Sequence, residues 1–72
     1  MTDAPRTIFE VRWNPSQRHF DVITADVCVQ FHETRAGALA AARWLAQDAI
    51  AAGRNAEIIV VEPDGSHVKD RL

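Results

Sequence analysis

The stretch "FHETRAGALAAARWLAQDAIAAGRNAEIIVVE" (Phe31–Glu62) decides the fold. Thr34 fits a helix N-cap, because its hydroxyl can accept from a first-turn amide that has no partner inside the helix. The alanines that follow favour helix more than any other residue type. Gly53 then stands where helices commonly end on a left-handed residue, which glycine adopts at least cost. The spacing predicts a helix from about Arg35 to Ala52. Beyond it, Ala56–Glu62 is apolar on both faces, with Ile58 and Val60 on one and Ile59 and Val61 on the other. A strand of that kind is internal to a sheet or covered on both sides.

Three strands are predicted ahead of the helix. Thr7–Trp13 alternates, with Phe9, Val11 and Trp13 on one face and Ile8, Glu10 and Arg12 on the other. Asn14–Gln17 carries turn residues, and Arg18–Thr24 returns with Phe20 and Val22 inward and His19, Asp21 and Ile23 outward. After a corner at Ala25-Asp26, Val27–Glu33 makes the third strand, with Val27, Val29 and Phe31 on the core face and Cys28, Gln30 and His32 on the other. "PDG" (Pro63–Gly65) is a tight-turn signal before a short, charged edge strand, "SHVKDR".

The order β-β-β-α-β-β predicts an α+β domain with one helix packed on one face of a mostly antiparallel, mixed sheet. Strand three, helix and strand four form a crossover, so those strands run parallel if they share the sheet. Whether strand four pairs with strand one or strand three is left open by the pattern. One domain spans residues 1–72, with a polar flexible tail at residues 1–5.

Trp44 is the odd residue of the helix. On a helical wheel Ala38, Leu39, Ala41, Ala42, Leu45, Ala46, Ala49, Ile50 and Ala52 form the sheet-facing stripe, centred near Leu45, Ala49 and Ala42. Trp44 lies on the opposite arc, beside a shallow groove of small residues at Gly37, Ala40 and Ala51. Two readings stand: the indole folds sideways as a cap over a hairpin end or the C-terminal tail, or it is the anchor of a contact with another chain. A second candidate surface is the sheet face away from the helix. Ile8, Ile23, Ile59 and Val61 would lie there among Glu10, Arg12, Asp21 and Gln30, and Ile59 and Val61 are its main candidates.

Composition narrows the function classes. With 72 residues, 47% hydrophobic and 25% charged, the chain is an ordinary globular domain with a thin stability margin, and oligomerisation is a common remedy for that. Net charge is −2, and the basic residues are scattered singly rather than gathered into a stripe. Nucleic-acid binding is the alternative to a protein contact, with Arg35, Arg43 and Arg54 around the helix as its candidate residues. No secretory signal and no membrane-spanning run is present, so the expected location is the cytoplasm, with Cys28 as a reduced thiol.

Catalytic chemistry finds little support. His19, His32 and His67 lie on strands without metal-ligand spacing, and Cys28 and His32 are about 13 Å apart along a strand. The glycines Gly37, Gly53 and Gly65 stand apart, so no phosphate loop exists. A lone thiol on a sheet surface is usually inert. The expectation is no enzyme, no metal, no cofactor and no catalytic residue.

The segment Ile8–Lys69 resembles a family of small uncharacterised bacterial proteins with an N-terminal hairpin, a Phe-x-x-Thr-Lys/Arg-x-Glu-Ala helix start and a strand ending in Asp-Gly. Phe31, Thr34, Arg35, Ala38, Asp64 and Gly65 carry the resemblance. Gly37 departs from it where glutamate is favoured, which removes a capping box. Ser66 departs from it where a basic residue is common. The resemblance implies the β-β-β-α-β-β fold and a bacterial source, and no activity. The expected function is a small binding or interaction module, acting as a homo-oligomer or as an accessory protein.

Overall fold

A computed structural model describes residues 6–70; the tail expected at residues 1–5 lies outside the described residues. The strands are β1 (Arg6–Asn14), β2 (His19–Thr24), β3 (Val27–His32), β4 (Asn55–Val61) and β5 (His67–Asp70), with α1 (Arg35–Ala51) between β3 and β4. They form one five-stranded sheet in the order β3-β2-β1-β4-β5, and α1 packs on one of its faces. β1 and β4 are parallel and the other pairings are antiparallel. The crossover from β3 therefore passes over β2 and β1, which settles the pairing left open by the sequence. β4 is internal, as its two apolar faces predict.

Local chemistry sets the boundaries. The Thr34 hydroxyl accepts from the Gly37 amide at 3.0 Å. At the other end Gly53 (φ +87°) donates to the Ile50 carbonyl and Arg54 to that of Ala49, which together make a Schellman cap. Asn14 closes the first loop by accepting from the amides of Ser16 and Gln17. Ala25 and Asp26, both at positive φ, turn the second hairpin in two residues, the geometry whose twist matches that of the flanking strands.

The core joins Phe9, Val11, Val22, Ile58 and Val60 of the sheet to Ala38, Ala42 and Ala46 of the helix. Alanine along the contact line lets the helix backbone approach the sheet closely. The stripe is thus centred on Ala42 rather than toward Leu45 and Ala49. Ile50 and Ala52, expected in the stripe, are exposed. At 100° per residue each lies about 80° from Ala42, on the helix flanks.

The third strand departs from the sequence reading. Up to Cys28 the hairpin register is regular, with Thr24 opposite Val27 and Ile23 opposite Cys28. One extra residue, Val29, is then accommodated in a bulge, and Val22 pairs with Gln30 and Asp21 with Phe31. Without the bulge Phe31 would oppose Phe20 on the helix side, as its alternation predicts. With it, every later side chain changes face. Phe31 is 63% exposed on the open face, while Gln30 and His32 are half-buried on the helix side. Val27 and Val29 are exposed as well, Val27 because it closes the hairpin at the edge of the sheet.

Candidate interaction surfaces

The open face can be laid out from the cross-strand registers. One row across the sheet runs Phe31, Asp21, Arg12, Val61, His67, and the next runs Cys28, Ile23, Glu10, Ile59, Lys69. Ile8 and Glu57 lie beyond the second row. The expected gathering of Ile8, Ile23, Ile59 and Val61 on this face is present. They alternate with charges that pair among themselves: Arg12 with Glu10 at 2.8 Å, and Lys69 with Glu57 at 2.8 Å. Gln30, placed on this face by alternation, is on the other side, and Phe31 takes its place because of the bulge.

At the β2 end of the first row stands a polar cluster that sequence reading did not single out. Asp21, which alternation turns outward from the helix, is 8% exposed. Asn14 Nδ2 donates to its Oδ2 at 3.0 Å, and His19 Nε2 lies 2.7 Å from its Oδ1. That second contact is out of line for a hydrogen bond, since Oδ1 has no aligned partner among the described residues. The His19 ring in turn stacks on Phe31, with centroids 4.5 Å apart. Partial desolvation first, and then the charge of Asp21, pushes the exposed Cys28 thiol above its ordinary value. A thiol held protonated is a poor nucleophile. Alternation did place His19, Asp21 and Cys28 on one face, but only the folded register shows that they meet.

On the helix, Trp44 is 66% exposed. Ala40 and Ala51 are exposed on the same side. Gly37 does not belong to an open groove: a Cβ there would meet the Cβ of His32 at 3.4 Å and Thr34 Oγ1 at 3.0 Å.

The arginines of the nucleic-acid alternative are dispersed. Arg43 forks onto Asp70 of β5, at 2.9 and 3.1 Å, and Arg35 pairs with Glu62 at the end of β4. The Asp70 bond keeps Arg43 above its ordinary value. Arg54 sits at the far end of the helix, on the rim of an open groove of about 810 Å³ floored by Phe9, Leu45 and Ala49. The three do not converge on one phosphate-binding surface. Among the described residues no group of three His, Cys, Asp or Glu side chains is placed to hold a metal ion, and no helix is long and apolar enough to cross a membrane.

Comparison with protein-family models, with curated proteins and with solved structures finds no match for this chain.

Proposed function

We propose that this protein is a non-enzymatic interaction module that works by self-association. The observation that carries this reading is the uneven placing of its exposed large apolar side chains. Of the seven among the described residues, three (Val27, Val29 and Phe31) fall on β3, and Trp44 stands alone on the outer side of the helix. A core of eight apolar residues, three of them alanine, leaves little stability in reserve, so covering such side chains in an assembly has a direct energetic return. The internal pairing of Arg35 and Arg43 makes them poor phosphate contacts without rearrangement, which favours a protein partner over a nucleic acid.

Absolute mass by light scattering over a concentration series tests the reading. A mass rising toward twice 8.0 kDa, insensitive to salt, is the expected result. A monomer at every concentration would refute self-association. Binding to single- or double-stranded oligonucleotides that weakens steeply with salt would move the assignment to nucleic acid.

A further inference from the structure

The two edges of the sheet are built differently. β5 is four residues long and carries Lys69 and Asp70, both engaged in ion pairs that run back into the domain. A short, charged edge resists the addition of another strand. β3 has six residues, Val27-Cys28-Val29-Gln30-Phe31-His32, with no lysine, no acid and no proline. Its one irregularity, the bulge at Val29, sharpens the twist but leaves the strand uncharged and its apolar side chains outside.

We propose that β3 pairs antiparallel with β3 of a second copy, joining two domains into one ten-stranded sheet. The inference rests on the self-association reading and specifies its geometry. The occupant follows from the edge asymmetry. A head-to-tail contact of β3 with β5 of the next copy would leave both edges open and repeat into a ring or a filament, and the charged β5 edge opposes it. β3 on β3 closes after two copies. It also brings no like charges face to face, because the strand carries no acid and no lysine or arginine. The two-fold axis stands perpendicular to the sheet, so both helices lie on the same side. Phe31 and Cys28 of each copy then continue the apolar open face across the junction. Trp44, turned away from the sheet, takes no part.

The test combines two edge variants, a helix variant and a cross-link. Val29→Lys and Val27→Lys each put a charge on an exposed edge position and are expected to halve the mass with the circular dichroism spectrum unchanged. Trp44→Ala is expected to leave the dimer intact. With the axis through the centre of β3 the two Cys28 residues lie within about 12 Å, from the strand rise and spacing. A short bis-maleimide at pH 8.5 should therefore join two wild-type chains covalently. A dimer that survives both lysine variants and is not cross-linked overturns the β3 pairing while self-association stands. Loss of the dimer in Trp44→Ala alone assigns it to the helix surface. A wild-type monomer at all concentrations overturns both proposals.

Discussion

The ring of Phe31 lies over that of His19, centroids 4.5 Å apart and planes 17° from parallel, on the sheet face turned from the helix. An aromatic residue whose alternation points to the core is thereby held on the surface. Phe31→Ala is expected to cost about 0.5–1.5 kcal/mol, the worth of an exposed aromatic pair. Phe9→Ala, in the true core, should cost about 3–5 kcal/mol. Urea unfolding of the two variants at one protein concentration checks the contrast. Equal, large losses would return Phe31 to the core.

Asn14 serves two partners at once. Its Oδ1 accepts from the amides of Ser16 and Gln17, and its Nδ2 donates to the buried carboxylate of Asp21. Asn14→Ala removes both functions and should destabilise by about 2–4 kcal/mol, given the cost of leaving a buried charged acceptor short of a donor. Asn14→Asp keeps the turn bonds but sets a second carboxylate against Asp21. Like charge raises the pKa of the added carboxylate, so its penalty is present at neutral pH and fades as the pH falls through that raised value. A deficit unchanged between pH 7 and pH 4 would contradict the pairing.

Ala25 holds φ +50° in the two-residue turn, a conformation that costs an L-residue with a Cβ about 1 kcal/mol or more. Ala25→Asn suits the first central position of such a turn. It is expected to raise stability by about 0.5–1 kcal/mol, as a higher urea midpoint at unchanged slope.

Gly37 sits within the first turn of α1, where replacement by alanine normally gains about 1 kcal/mol. The gain should not appear here. The new Cβ would press on Thr34 Oγ1 at 3.0 Å, the atom that caps the helix, and on His32 at 3.4 Å. Thermal unfolding of Gly37→Ala at or below the wild-type midpoint is the expected outcome; a clear rise would mean that the strand end yields freely. This contact also supplies a reason for glycine at a position where glutamate would have completed a capping box with Thr34.

Two surface carboxylates lend the fold an acid sensitivity. The Lys69 ammonium, followed by the Arg6 charge, holds Glu57 below its ordinary value, and the Ser66 hydroxyl and amide do the same for Asp64. A carboxyl lowered on folding contributes stability above its unfolded pKa and loses it as pH falls through the folded value. Lys69→Ala and Ser66→Ala should therefore be weaker than wild type at pH 6 and converge with it as the pH falls through the lowered folded values. A gap that persists in acid would point to lost packing instead.

Much of the fold was legible because its signals are local. Thr34 and Gly53 bound the helix through their own side-chain and backbone chemistry, and the both-face apolar run at Ile58–Val61 required an internal strand. The wheel likewise placed Trp44 outside, since helical phase is a property of one continuous segment. Other features needed the tertiary structure. The parallel seating of β4 on β1 depends on where the crossover lands, which no residue within either strand encodes. The face of Phe31 depends on one bulged residue, Val29, in a strand whose alternation reads the same with or without it. The cluster of Asn14, His19, Asp21 and Cys28, and the closure of Gly37 by His32, arise from separate segments meeting at a register. A strand's period gives its two faces. Only the pairing decides which of them the helix covers.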